Sequence, residues 1–118
     1  MDVKDKSIFL SGPMTGIELY NTPAFMEAHA RLKLMGCGEV FNPVIEWLWD
    51  DSGSDDRTYY LRKCVERLGM GPLGYKADHW DMLVSLPGWM ESEGARLERT
   101  IADSLGIECH ELSEVIDD

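Results

Sequence analysis

The 118-residue sequence has no long apolar segment, since none of its hydrophobic runs approaches the roughly 20 residues that a helix needs to cross a bilayer. Residues 1–6 (MDVKDK) lead straight into a short apolar stretch, without a signal-like hydrophobic region or a small-residue cleavage site. We therefore expect no membrane partner and a cytoplasmic location.

Basic residues are scarce: 11 Lys and Arg stand against 22 Asp and Glu, for a formal net charge of -11. Such an excess of negative charge repels a polyanion, so we expect no nucleic-acid partner. A single phosphate can still be held by a backbone loop and one hydroxyl, which leaves a small-molecule nucleotide or nucleoside as a possible partner.

Cysteines are few and do not form a recognisable framework. Cys37, Cys64 and Cys109 are odd in number, widely spaced and without a CxxC pair, which indicates a reducing compartment and no disulfide framework. Neither Cys109-His110 nor His79 has a partner at metal-ligand spacing, so we expect no metal. No cofactor motif stands out either, because the chain has neither a Walker loop nor a GxGxxG fingerprint.

What the sequence does contain is an alternation of short apolar runs and helical periodicities, within a length that fits one domain, residues 1–118. The predicted strands cover 7–11, 39–42, 81–86 and 107–112, and the predicted helices cover 22–35, 57–68 and 93–105. Residues 44–56, which include Trp47 and Trp49, and residues 69–76 are predicted to be loops. This order predicts an α/β domain with a parallel sheet of four to five strands and right-handed crossovers.

Ligands of such sheets bind outside the carboxyl ends of the strands, where residues 12–16 and 87–94 form connections. The loop Ser11-Gly12-Pro13-Met14-Thr15-Gly16 can turn sharply and present backbone N–H groups to an anion. A tight turn without a ligand would explain the same residues equally well.

Glu98 is the most informative residue of the sequence. The predicted core-facing stripe of the last helix consists of Gly94, Leu97, Ile101, Ala102 and Leu105. Glu98 falls inside this stripe, so its carboxylate should be partly desolvated and in need of partners or a ligand. It is a candidate catalytic carboxylate, and the alternative is a stripe-edge residue that reaches water or pairs with Arg62, Arg96 or Arg99.

Other candidates have ordinary explanations beside the functional ones. Ser92 can cap the last helix, whose N-terminus also suits an anion. Cys64 fits a small core residue better than a nucleophile. Trp89 is an anchor that could also stack on a base. Asp81 fits a turn or cap, and His29 an ordinary helix-face residue.

Four motifs in this order resemble the nucleoside 2-deoxyribosyltransferase-like superfamily. They are residues 8–16 (IFLSGPMTG), 41–43 (FNP), 86–89 (LPGW) and 91–98 (ESEGARLE). The sequence is most similar to the short bacterial and phage branch of that superfamily, whose function is unassigned. The motifs span most of the chain, apart from 44–58 and 69–80.

The resemblance implies a flavodoxin-like (Rossmann-like) sheet, homodimers or larger homo-oligomers, and Glu98 as the nucleophile toward the anomeric carbon of a 2-deoxyribosyl group. It implies that Ser92 holds the 5′-phosphate, which favours a nucleoside 5′-monophosphate. The substrate-binding positions that it implies are Phe9, Ser11, Gly12, Pro13, Met14, Thr15, Gly16, Asn42, Pro43, Cys64, Trp89, Ser92 and Gly94.

Two positions depart from the pattern of active relatives. Phe9 stands where a tyrosine hydroxyl orients the glutamate, so that hydrogen bond is expected to be absent. Cys64, after Tyr60-Leu61-Arg62-Lys63, stands where an aspartate protonates the leaving base, and Asp78 or Asp81 are possible substitutes.

Three functions remain open after the sequence analysis. The first is an N-glycosidase or 2-deoxyribosyltransferase. The second is a nucleotide-binding or sequestering protein with impaired catalysis. The third is an interaction protein that uses the acidic surface and the tryptophan-containing loop.

Overall fold

The computed structural model describes residues 1–48, 57–73 and 79–116. The strands are β1 (Ile8–Ser11), β2 (Val40–Phe41), β3 (Met82–Ser85) and β4 (Glu108–Glu111). The helices are α1 (Thr22–Leu34), α2 (Pro43–Leu48), α3 (Arg57–Met70), α4 (Glu93–Ser104) and α5 (Leu112–Val115). Two 3-10 turns, Glu18–Asn21 and Trp89–Glu91, precede α1 and α4.

The four strands form one parallel sheet in the order β2-β1-β3-β4. Each parallel pair needs a crossover connection, and helices supply it on both faces of the sheet. The predicted α/β class with a flanked, flavodoxin-like parallel sheet is therefore confirmed. The radius of gyration of 13.3 Å is close to the roughly 13.5 Å of a compact domain of this length.

Side chains along β1 point alternately to the two faces of the sheet, so the core has two layers. Ile8 and Leu10 pack with the buried residues of α1 and α5, whereas Phe9 packs with those of α3 and α4. Because side chains alternate with a period of two, Ser11 faces the same layer as Phe9. Ser85, the register partner of Ser11 on β3, likewise follows Leu83 onto the α3 and α4 side. Two buried hydroxyls thus stand side by side at the carboxyl ends of the central strands.

The loop predicted for residues 44–56 is wrong at its beginning, because residues 43–48 form helix α2. Pro43 suits a first helical position, and the Asn42 Oδ1 accepts the Val44 N–H at 3.0 Å. Val44 is buried in the core and anchors this helix. The prediction for Trp49 and the acidic stretch up to residue 56 lies outside the described residues.

Two further boundaries differ from the sequence prediction. Helix α3 continues through Gly69 to Met70, so the predicted loop starts later, at Gly71 with its φ of +84°. The short helix α5 was not predicted. It begins with a capping box between Glu111 and Glu114. In the sequence, charged residues with this spacing are also compatible with the end of a surface strand.

No helix in the described ranges is long and apolar enough to cross a membrane.

Candidate active site at the carboxyl ends of β1 and β3

The chain leaves β1 toward β2 on one side, and β3 lies on the other side of β1. The carboxyl ends of β1 and β3 therefore form the topological switch point, where open α/β sheets bind their ligands. The loop of residues 12–16 follows β1 there, and the segment of residues 86–92 follows β3. Helices α3 and α4 cover the face on which Ser11 and Ser85 lie.

Glu98 reaches this switch point from α4 and is the only charged residue among the buried polar side chains of the described chain, with 7% exposure. The Ser11 hydroxyl donates a hydrogen bond of 2.7 Å to Glu98 Oε1. The Cys64 side chain on α3 lies beside the carboxylate and favours its anionic form. Among the described residues, no ion pair joins Glu98 to an arginine. The ion-paired alternative is thus not the observed arrangement.

Burial dominates the protonation of Glu98. Desolvation raises the pKa of the carboxyl to about 7, although the hydrogen bonds from Ser11 and Cys64 act in the opposite direction by stabilising the anion. A carboxyl of this kind exchanges its proton near neutral pH. It can therefore act as a nucleophile once a ligand or pH favours the ionised form.

The buried stripe of α4 is narrower than the sequence predicted. Leu97 and Leu105 are 43% and 55% exposed, and the buried positions are Ala95, Glu98 and Ala102. These positions follow the i, i+3, i+7 spacing of one helix face. Glu98 is thus at the centre of the buried stripe, between Ala95 and Ala102.

Ser11, and not residue 9, provides the hydroxyl that hydrogen-bonds Glu98. Phe9 is fully buried, its ring stacked on Phe41 at 4.4 Å between centroids and edge-on to Trp80. In this position the ring lies in the core and does not line a ligand site. Residue 9 thus gives Glu98 no hydrogen bond, and Ser11, two residues further along the same face of β1, donates one instead.

Cys64 is 6% exposed and lies beside Glu98 on the α3 side. Burial, followed by the negative charges of Glu98 and Glu46, raises the pKa of the thiol above its usual value. The residue therefore remains a neutral thiol beside Glu98. A thiolate nucleophile at this position is disfavoured.

The β1 loop is shaped by a close approach to the segment after β3. A Cβ on Gly12 would lie 2.8 Å from the Leu86 Cβ, so only glycine fits without displacement. The Leu86 N–H donates to the Ser11 carbonyl at 2.8 Å, and Asn21 Nδ2 donates to the Pro13 carbonyl at 3.0 Å. Pro13 is buried, Met14 packs against the core, and Thr15 and Gly16 are exposed. The loop is thus fixed at its base and open at its tip.

Ser92 is the N-cap of α4, as the sequence predicted. Its hydroxyl oxygen accepts the Ala95 N–H at 3.2 Å, which leaves the hydroxyl proton available to donate to an anion. Gly94, one of the implied ligand positions, faces helix α3 instead, because a Cβ there would lie 3.6 Å from Leu61. Gly94 therefore serves the contact between the two helices.

Trp89 is tied to two charged residues. The Arg99 guanidinium lies 4.3 Å from the centroid of its ring and donates to Ser85 Oγ at 3.1 Å. The Trp89 indole N–H donates to Glu111 Oε1 at 3.1 Å. These contacts fix the segment after β3 and occupy one face of the ring. The sequence analysis missed Ser85 and the bond it makes. The sequence feature that could have identified Ser85 is the serine at the carboxyl end of each central strand.

Asn42, another implied ligand position, is used by the fold. It is 2% exposed, and its Nδ2 lies 3.2 Å from His29 Nδ1 while its Oδ1 caps α2. Burial lowers the pKa of His29, as expected for an imidazole that stays neutral within the structure. Asn42 and the buried Pro43 join α1 to α2 and present no polar group to the switch point.

Asp81 cannot serve as the acid of this site. Its carboxylate accepts the Ser7 N–H at 2.8 Å and the Ser7 hydroxyl at 3.1 Å, at the amino ends of β1 and β3. A four-residue strand separates it from Glu98 by about 13 Å. Asp78, the other substitute, lies outside the described residues. A cavity of about 270 Å³ also lies away from Glu98, near the start of β4, and is lined by Leu68, Gly69, His79, Leu105, Gly106 and Ile107.

The fold and the site together define a flavodoxin-like α/β protein with a buried carboxylate at its β1–β3 switch point. A family model described as a domain of unknown function, DUF4406, matches residues 6–110, and the chain belongs to this family. Comparison with curated proteins and with solved structures found no match.

Proposed function

We propose that this protein cleaves the N-glycosidic bond of a 2-deoxynucleoside 5′-monophosphate or a deoxynucleoside, with Glu98 as the nucleophile. The observation that carries the proposal is the buried carboxylate at the switch point of the sheet, where it accepts a hydrogen bond from Ser11. The motif resemblance to nucleoside 2-deoxyribosyltransferases supports the same residue.

In the proposed reaction, ionised Glu98 attacks the anomeric carbon and displaces the base. The product is a glycosyl ester of Glu98, which water or a second base then resolves, giving hydrolysis or base transfer. Ser11 holds Glu98 Oε1 and limits the rotation of the carboxylate. Such positioning lowers the barrier because the reacting atoms need less ordering during the reaction.

A phosphate has a suitable place at the start of α4. The amino end of this helix carries a partial positive charge, and the Ser92 hydroxyl can donate to an oxyanion. Ser92 and Glu98 are six residues apart on the same helix, a rise of about 9 Å. Helix side chains lean toward the N-terminus, so the Glu98 carboxylate lies nearer to Ser92 than this rise, which suits the shorter span from the 5′-phosphate to the anomeric carbon of a nucleotide.

The partner and location that accompany this proposal are a small-molecule nucleotide or nucleoside, a homodimer or larger homo-oligomer, and the cytoplasm. They are supported by the motif resemblance and by the acidic composition.

A second candidate is a nucleotide-binding or sequestering protein with impaired catalysis. The observation that favours it is Cys64, whose neutral thiol lies beside Glu98 where a carboxylic acid would protonate a leaving base. The third candidate, an interaction protein, depends on the acidic stretch at residues 50–56, outside the described residues.

The decisive experiment incubates the purified protein with each deoxynucleoside and its 5′-monophosphate, with and without a free acceptor base, and follows the products by chromatography. Base release or exchange should be lost in Glu98→Gln. The matched control is Glu27→Gln, the same change at an exposed position of α1. Tight binding without turnover in the wild-type protein would favour the binding protein instead.

The phosphate site has its own test. Ser92→Asn and Ser92→Asp both keep an N-cap acceptor, so both should fold. Only the aspartate adds negative charge to the place where the phosphate should bind. We expect Ser92→Asp to weaken binding of the monophosphate and leave that of the free nucleoside nearly unchanged. If Ser92→Asp and Ser92→Asn weaken the binding of the monophosphate and of the free nucleoside to the same extent, the phosphate binds elsewhere.

A further inference from the structure

The groups around Glu98 are unusual for the cleavage of an ordinary nucleoside. In the part of the chain that the structure describes, the Ser11 hydroxyl hydrogen-bonds its carboxylate, and the Cys64 thiol lies beside it. The hydroxyls of Ser85 and Ser92 stand at the same end of the sheet. All four are very weak acids.

The weak acidity of these groups matters because a neutral leaving base needs a proton. A neutral purine or pyrimidine departs as an anion unless a proton reaches it during bond cleavage, and general acid catalysis supplies about 10² to 10⁴ in rate. A base that already carries a positive charge on its ring needs no proton. The electron pair of the breaking bond neutralises it.

We propose that the preferred substrates of this site are N-glycosides of cationic bases, such as N7-alkylated purine or pyridinium nucleoside 5′-monophosphates. The inference rests on the proposed function of Glu98 and names the substrate class of the same site. It requires no group beyond those that the structure places there.

The reaction balances without a general acid. A Glu98 carboxylate oxygen forms a bond to the anomeric carbon, the carbon–nitrogen bond breaks, and its electron pair goes to the cationic base, which leaves neutral. Water then attacks the glycosyl ester and returns the sugar with a hydroxyl. The proton of that water is left on Glu98 or passes to solvent.

The charges of the chain favour such a ligand. The net charge is -11, and Glu111 accepts a hydrogen bond from Trp89 in the segment that follows β3. Burial raises the pKa of Glu98 to about 7, and a cation beside the carboxylate acts against that shift. A cationic base would therefore bring its own nucleophile into the ionised form, while its 5′-phosphate keeps the helix N-terminus as a partner.

The test compares a matched pair, 2′-deoxyguanosine 5′-monophosphate and its N7-methyl derivative, which share sugar and phosphate. Base release is followed by chromatography, and release without enzyme is subtracted because N7-methylated nucleotides also decompose spontaneously. We expect kcat/KM for the cationic substrate to exceed that for the neutral one by at least about 10², the lower bound of what a general acid contributes.

Variants at Cys64 separate acid catalysis from intrinsic reactivity. Cys64→Asp adds an acid beside Glu98 and should raise kcat/KM for the neutral substrate more than for the cationic one. The gap between the two kcat/KM values should therefore narrow at least tenfold. Cys64→Asn, of similar size but without an acid, should leave the gap as wide as in the wild type. If Cys64→Asp does not fold, the wild-type pH profiles give the same distinction. Cleavage of the cationic substrate should rise to a plateau through neutral pH as Glu98 ionises. Cleavage of the neutral one needs both ionised Glu98 and a proton from solvent, so it should stay level below the pKa of Glu98 and fall above it.

The outcomes are distinguishable. Cleavage of both substrates by the wild-type protein at rates within tenfold of each other would overturn the inference and leave the proposed function standing. Failure to release either base would overturn the proposed function and the inference with it. Selective cleavage of the cationic substrate, abolished in Glu98→Gln, would support both.

Discussion

The substitution Glu98→Gln should make the protein more stable at pH 8 than the wild type. The change replaces a buried carboxyl by a neutral side chain of nearly the same shape, whose amide oxygen can still accept from Ser11. Its effect on stability should therefore depend on whether the wild-type carboxyl is ionised.

The sign and size follow from the pKa. Burial raises the pKa of Glu98 from 4.5 to about 7, so the folded protein binds this proton more tightly than the unfolded chain does. The stability that Glu98 contributes is fully present below about pH 4.5 and is lost as the pH rises through about 7. At about 1.4 kcal/mol for each tenfold change in proton affinity, the whole loss amounts to roughly 3 to 4 kcal/mol. That is a large part of the 5–15 kcal/mol typical of a whole domain.

The assay is urea denaturation of the wild type and Glu98→Gln between pH 5 and pH 8. The variant's advantage in free energy of unfolding should grow across this range by roughly 2 to 3 kcal/mol. Glu27→Gln, at an exposed site, should show no such growth. A constant difference between Glu98→Gln and the wild type at all pH values would refute the conclusion that burial raises this pKa.

Three further predictions concern the surroundings of the site. Ser11→Ala removes a hydrogen-bond donor to the Glu98 anion, so it should raise the pKa of Glu98 further. In urea denaturation it should lower the free energy of unfolding by about 1–3 kcal/mol at pH 8 and by less at pH 5. An equal loss at both pH values would contradict this. Gly12→Ala should cost about 1–3 kcal/mol through overpacking against the Leu86 Cβ, and an unchanged free energy of unfolding would deny the contact. Cys64 should resist alkylation by iodoacetamide in the folded protein and react in urea, as mass spectrometry of the labelled peptides can show; rapid native labelling would contradict its burial and raised pKa.

The fold was predictable because its local signals agree with one another. Apolar runs that end at Gly12-Pro13 and Pro87-Gly88 mark the buried central strands, and periodic apolar positions mark the helices between strands. Helix α2 was not predictable in the same way. Proline after a strand signals both the end of that strand and the start of a helix, and the cap from Asn42 becomes visible only in the structure.

The site was only partly predictable. The burial of Glu98 could be inferred from its place among apolar helix positions, since a charged residue there stands out. Its partners could not, because the contact between Ser11 and Glu98 joins residues 87 positions apart and depends on strand register. Similarity by position placed the orienting hydroxyl at residue 9, where this chain has phenylalanine, whereas the alternation of side chains places Ser11 on the same face two residues later.

The most direct measurement of the central claim is the mass of the protein quenched during turnover of a deoxynucleoside 5′-monophosphate, followed by peptide mapping. The account predicts a deoxyribosyl phosphate adduct on the peptide that contains Glu98, present in the wild type and absent in Glu98→Gln. Base release that continues in Glu98→Gln, or an adduct on another residue, would contradict the assignment of Glu98 as the nucleophile.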